Sequence, residues 1–183
     1  MITPNIDLHL HSTISDGLLT PSELVSYASE RDVEVLALTD HDDIAGLKEA
    51  RIMAQKLNII FITGVEISVT WRKRTLHIIG LNFDESNANL INGLKQIRMG
   101  REKRAEGMAH SLGMASIFNA LDGAKKFTKH STIGRIHFAQ FLVSQGHAKD
   151  IKQVFKKFLT PGKPGYVDHE WASLEDAVSW ITD

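Results

Sequence analysis

Two nearly uninterrupted apolar runs, Val33–Leu38 and Ile59–Thr63, constrain this chain most. Runs this short and this apolar suit strands buried on both faces of a parallel sheet, which needs helical crossovers between its strands. The sequence supplies them. Ahead of the first run, Thr20-Pro21-Ser22-Glu23 opens a helix, with Thr20 as N-cap, Pro21 in the first turn, Glu23 completing a capping box, and Leu24, Val25 and Ala28 as its apolar face. A second helix is predicted over residues 44–57, between the runs, and Ile6–Leu10 reads as the first strand. The order β-α-β-α-β predicts an α/β sheet or barrel with its functional groups at the carboxyl ends of the strands. Beyond Gly64 the chain continues through Val65–Val69 and resumes at Leu76–Phe83 with no room for a crossover, which predicts a hairpin. Centring its turn between Trp71 and Arg72 puts Glu66 opposite His77, with Cβ atoms ~5 Å apart.

The strand ends carry the chemistry. In Asp7-Leu8-His9-Leu10-His11 the strand alternation sends His9 and His11 to one face, ~6.6 Å apart at Cα, and Leu8 and Leu10 to the core. On a helix the same spacing would make the rings diverge, so the pair makes chemical sense as strand-borne metal ligands. Asp16 follows on a loop closed by Gly17, His41 sits in Thr39-Asp40-His41-Asp42-Asp43, Glu66 lies between apolar neighbours, and His77 falls on the return strand. These six are the candidate ligands. A buried carboxylate without a partner costs several kcal/mol, which makes a metal the natural companion of Glu66. With no cysteine in the chain, disulfides and thiolate sites are excluded, and His, Asp and Glu donors suit divalent Mn, Fe or Zn.

At 183 residues the chain is long enough to bury a sizeable core. Its net charge of −1 hides a segregation: residues 1–85 hold 7 basic and 13 acidic side chains, residues 86–163 hold 14 and 4, and residues 164–183 hold none and 5. These spans are the predicted divisions: an α/β part carrying the ligands, a basic helical insertion facing it, and a return to the α/β frame. A basic lobe beside a cation site is what an anionic substrate requires. Within the insertion, helices are predicted over 87–112 (with the basic stripe Lys95, Arg98, Arg101, Arg104), 113–122, 133–144 and 151–159, ending at the loop Thr160–Tyr166. A last capped helix, 173–183, would pack onto a following strand in an α/β repeat, and none remains. The expectation is therefore a barrel whose C-terminal strands are missing or come from another chain, with an open edge that invites self-association. No apolar run reaches membrane-span length and the N-terminus lacks signal-peptide character, so a cytoplasmic protein is expected.

Together, Asp-Leu-His9-Leu-His11-Ser-x-x-Ser-Asp16-Gly, Thr-Asp-His41-Asp, Gly-Val-Glu66-Ile and Leu-His77-Ile-Ile-Gly resemble the PHP (polymerase and histidinol phosphatase) superfamily of metal-dependent phosphoesterases. Gly134-Arg135-Ile-His137-Phe-Ala and Gly162-Lys163-Pro-Gly-Tyr-Val extend the resemblance to the branch of 3′,5′-nucleoside bisphosphate phosphatases and 5′→3′ exoribonucleases. The resemblance implies a distorted β/α barrel, here its N-terminal part, with up to three divalent metals, Mn foremost. It implies that His9, His11 and Glu66 hold one ion and activate water, Glu66 and His77 a second, and Asp16 and His41 a third. Arg101, Arg104, Arg135, His137 and Lys163 would grip the substrate, a small nucleotide or short RNA. His110, His130, His147 and His169 are expected to lie outside the ligand set. A complete member carries a further histidine and an Asp-x-His pair after the last helix, so two alternatives stand beside the full enzyme: an incomplete fragment that binds metal or nucleotide without turnover, and a histidinol-phosphate-type phosphatase.

Overall fold

The computed structural model describes residues 4–128 and 133–183. The strand and helix order is β1 (Ile6–Leu10), α1 (Pro21–Ser29), β2 (Val35–Leu38), α2 (Leu47–Lys56), β3 (Ile60–Trp71), β4 (Arg74–Leu81), α3 (Ala88–Met114), α4 (Ala120–Lys125), α5 (Arg135–Ser144), α6 (Ile151–Val154), β5 (Ala172–Ser173) and α7 (Leu174–Thr182), with a π-helical turn at Phe155–Leu159 continuing α6. The chain divides into two compact units: Met1–Arg98 with Glu170–Asp183, and Met99–His169. The charge shift at 85/86 is therefore not the packing boundary. The first turns of α3 belong to the first unit because Leu90, Leu94 and Ile97 complete its core.

In that first unit the expected β-α-β-α-β order is present. Strands β1, β2 and the first part of β3 are parallel neighbours, with Val35 beside Ile6 on one side and Ile60 on the other. The predicted capping box of α1 is formed: the Thr20 hydroxyl accepts the Glu23 N–H, and the Thr20 N–H donates to the Glu23 carboxylate at 2.8 Å. β3 is long because it serves two sheets. Its second part pairs antiparallel with β4 and, at Val69 and Thr70, parallel with β5. Gly64–Val69 is buried throughout, and the two-residue period sorts it by chemistry: Val65, Ile67 and Val69 join the core with Leu36, Leu38, Val25 and Leu47, while Glu66 and Ser68 face the other way. Each fully buried aliphatic contributes about 1.5–3 kcal/mol, which fixes the register that Glu66 depends on.

Three expectations need correcting here. The hairpin turn is centred between Arg72 and Lys73, so His77 pairs with Ser68, and Glu66 with Ile79. Arg72 and Lys73 take φ of 47° and 63°, the left-handed pair of a tight turn that usually selects Asn-Gly. A two-residue slip preserves the face, and the Glu66 and His77 side chains still meet. Secondly, α7, expected to pack onto a strand that follows, packs on strands already present. β5 brings it onto the existing sheet, where Ala177 is buried, Ile181 covers Gly80, and Trp180 lies where a Cβ on Gly93 of α3 would be 2.5 Å away. Thirdly, the predicted 113–122 helix is α4, starting at Ala120 after a left-handed Asn119 (φ 58°).

The second unit has its own core of Met108, Leu112, Phe138, Leu142, Val154 and Leu159. Helices α4 and α5 approach closely through Gly123, where a Cβ would lie 2.2 Å from the Phe141 ring. Among the described residues no helix is long and apolar enough to cross a membrane.

Candidate metal centre

The first unit gathers its polar residues where β1 and β2 end and midway along β3. Just past β2, His41 lies beside Glu66 as a parallel bridge, with the Asp42 N–H donating to the Glu66 carbonyl (2.9 Å) and the Glu66 N–H to the Asp40 carbonyl (3.2 Å). β1 brings His9 and His11 to the same place, with Leu10 against the core and Leu8 half-buried. The loop after β1 closes tightly, the Gly17 N–H reaching the Ser12 carbonyl at 2.9 Å. Only glycine fits there, since a Cβ would sit 2.1 Å from the His11 carbonyl oxygen. That turn returns Asp16 to within 3.5 Å of His11 Nδ1 and 3.9 Å of His41 Nε2.

Glu66 is the hub. Its side chain is 7% exposed; Oε2 lies 2.8 Å from His9 Nε2, 2.9 Å from His11 Nε2 and 3.8 Å from His41 Nδ1, while Oε1 lies 2.6 Å from His77 Nδ1. Burial works against the charge of Glu66, but hydrogen bonds from His11, His77 and His9 and the field of His41 outweigh it and hold the carboxyl far below the usual range. For His11, burial is again the largest influence and disfavours charge. Glu66, Asp16 and Asp40 overcome it and raise the imidazole pKa above 6.5. The four rings follow one another, His9–His11–His41–His77, tilted or edge-on, with centroids 5.1, 4.6 and 4.8 Å apart.

These donors fit divalent metals. They form three groups, His9/His11/Glu66, His11/Asp16/His41 and His41/Glu66/His77, whose ligand atoms within each group lie within 4.8 Å of one another. Donors bonded to one ion at about 2.0–2.2 Å stand ~3–4 Å apart, close to the separations here. The geometry adds His11 to the group of Asp16 and His41, and His41 to that of Glu66 and His77. Protons now bridge imidazole to carboxylate where an ion would take their place. His110, His147 and His169 join none of the three groups; His130 falls outside the described residues.

The two aspartates that flank His41 are buried. Asp40 is 2% exposed and Asp42 0%. Asp40 accepts hydrogen bonds from the Ser12 N–H and the Ser12 and Ser15 hydroxyls, and Asp42 from the Ser68 N–H and hydroxyl. Burial raises the Asp40 pKa, against those serine donors. Arg98, part of the predicted basic stripe, belongs to this unit too: its guanidinium donates to the Asp42 carbonyl at 2.8 Å and lies 3.6 Å from Asp43. The Thr-Asp-His-Asp spacing was the available signal, but a lone sequence does not distinguish a solvated acidic turn from a buried brace.

The second unit holds the residues predicted to grip an anion. Arg104 is largely buried; that burial, with Arg135 and Arg101 close by, lowers its pKa to about 10, against Tyr166 and Asp168. Its Nε donates to the Val167 carbonyl at 3.3 Å. Burial, and then Arg104 and Arg101, lower the pKa of His169, which packs against Gly100. His137 is buried and its Nδ1 accepts the Gly134 N–H at 3.0 Å, closing the start of α5. Lys163 is exposed.

Parallel strands ending in imidazole and carboxylate donors define an α/β protein suited to binding divalent metal. The chain belongs to the PHP domain family, whose model matches residues 7–160. It is 52% identical to a 3′,5′-nucleoside bisphosphate phosphatase of Chromobacterium violaceum, over 97% of this chain and 62% of that protein. It is 43% identical to the 5′-3′ exoribonuclease Rnm of Escherichia coli, over 96% and 60%. A solved structure of an amidohydrolase from Chromobacterium violaceum, with bound sulfate, superposes with TM-score 0.92 at 52% identity, over 97% of this chain and 63% of that one. The chain thus spans about three fifths of the length of the curated relatives it matches.

Proposed function

We propose that this centre serves the metal-dependent hydrolysis of phosphate esters. The substrates are 3′,5′-bisphosphonucleosides, which lose the 3′-phosphate, or short 5′-phosphorylated RNA, shortened from its 5′ end. The observation that carries the reading is the convergence on Glu66 of His9, His11 and His77 within 2.9 Å, with His41 and Asp16 alongside. The names of the phosphatase and exoribonuclease relatives support it.

In this reading His9, His11 and Glu66 hold one ion, His41, Glu66 and His77 a second, and His11, Asp16 and His41 a third. Mn is the proposed metal, since nitrogen and oxygen donors without thiolate suit it, with Fe or Zn as substitutes. Bound there, divalent ions would supply Lewis-acid chemistry: a water of lowered pKa and charge neutralisation for a phosphoryl group. Glu66 keeps its charge despite burial and presents one oxygen to His77 and the other to His9 and His11, so it would belong to two of the ligand groups. Arg101, Arg104 and Arg135 hold substrate phosphate, because three guanidiniums near one another favour an anion among them. His137 and Lys163 complete that anion-binding set.

The test is phosphate release from 3′,5′-bisphosphoadenosine with Mn²⁺, and mononucleotide release from a 5′-phosphorylated oligoribonucleotide, each compared with the His9→Ala variant. Release that the variant lacks is the expected result, and the two substrates separate nucleotide from RNA. Equal release by the variant overturns the reading. Mn²⁺ binding without turnover would assign the chain to the binding-only alternative.

A further inference from the structure

On either side of His41 stands a buried carboxylate that belongs to none of the three metal groups. Asp40 accepts the Ser12 N–H at 2.7 Å, the Ser12 hydroxyl at 2.6 Å and the Ser15 hydroxyl at 2.6 Å. It ties the strand end that carries His41 to the loop that carries Asp16. Asp42 accepts the Ser68 N–H at 2.6 Å and the Ser68 hydroxyl at 3.0 Å. It ties the same strand end to β3 just beyond Glu66.

The backbone of Asp42 sharpens the point. Its φ is 53°, a left-handed conformation that is costly for a non-glycine residue unless the surroundings impose it. Here they do, through the Asp42 N–H to the Glu66 carbonyl (2.9 Å), the carboxylate to Ser68, and the Arg98 guanidinium to the Asp42 carbonyl (2.8 Å). Two buried carboxylates are a poor device for stability alone, since apolar packing of similar volume stabilises as well or better. What they supply is fixed geometry around the donors.

We infer that Asp40 and Asp42 are positioning residues, a two-sided brace that sets the spacing of the Asp16 loop, His41 and Glu66 before an ion arrives. The inference rests on the metal-binding reading above. The brace acts through shape, so an uncharged residue that keeps the hydrogen bonds should keep the function.

The experiment is Mn²⁺ titration calorimetry on the full chain, at a temperature where each variant is fully folded, so that loss of stability alone leaves the isotherm unchanged. Asp42→Gly permits the left-handed backbone but removes the carboxylate; Asp42→Asn keeps the backbone and an acceptor for the Ser68 N–H. Ser15→Ala tests the Asp40 side by a smaller change and carries the test should Asp42→Gly fail to fold. Expected are Mn²⁺ affinities ~10–100-fold weaker in Asp42→Gly and Ser15→Ala, the range for groups behind metal ligands, with Asp42→Asn close to the wild type. Unchanged isotherms in Asp42→Gly and Ser15→Ala overturn the brace and leave the metal reading standing. A loss in Asp42→Asn equal to that in Asp42→Gly assigns the effect to charge and also overturns it. No Mn²⁺ binding by the wild type overturns both.

Discussion

The two units solve opposite electrostatic problems. In the first, one buried carboxylate is ringed by four imidazoles, and every short contact joins groups of opposite tendency. In the second, burial and then the like charges of Arg135 and Arg101 lower the pKa of Arg104 to about 10. A cluster that neutralises itself exchanges protons for cations. A cluster that repels itself gains from an anion. The contrast underlies the proposal of a metal-binding role for the first cluster and a phosphate-binding role for the second.

The largest expected effect removes the hub. Glu66→Gln should weaken Mn²⁺ binding by more than the ~10–100-fold of a change behind the ligands, and calorimetry showing wild-type affinity would break the comparison on its first side. On the second side, Arg104→Met should abolish most of the rise in melting temperature that inorganic phosphate gives the wild type, because a charged hydrogen bond of about 1.5–3 kcal/mol is lost. An undiminished rise would show that the arginine cluster does not hold anions.

A pH series sharpens the first side. The pKa of His11 is raised on folding, so its contribution to stability is full below pH 6.5 and is lost as pH rises through the raised value. Glu66 is depressed, so its contribution is present above pH 4.5 and is lost as pH falls toward the lowered value. The melting temperature of the metal-free chain should therefore fall from pH 6.5 upward, while that of the Mn²⁺-loaded chain rises as protons leave the imidazoles. Parallel curves in scanning fluorimetry would contradict this. The smallest effect is local to the first unit. Replacing Arg72 and Lys73 by Asn-Gly should stabilise it by about 1 kcal/mol by relieving two left-handed residues, read as a higher melting temperature with Mn²⁺ affinity unchanged.

Much of the first unit was legible because strand parity is a local rule. His9 and His11 share a face whatever packs around them, and Val65, Glu66 and Ile67 alternate between core and site for the same reason. The hairpin register was legible only to within that parity. Arg72-Lys73 has none of the usual residues of a tight turn, and pairing along the full length of β4 imposes its backbone. Likewise, α7 was recognisable as a helix from Ser173 and its apolar spacing. Its place against Gly80 and Gly93 depended on a two-residue strand with no signal of its own.

The sequence by itself determined the alternation of strands and helices, the imidazole and carboxylate character of the site, and the segregation of basic charge. All three follow from residue type and short-range spacing. Only the tertiary structure decided that Glu66 stands at the centre of four histidines, that Asp40 and Asp42 are buried braces, and that Arg98 serves the first unit. Those facts join residues distant along the chain, such as Ser12 to Asp40 and Arg98 to Asp42. Contacts of that kind arise only once the sheet has set which strand ends lie side by side.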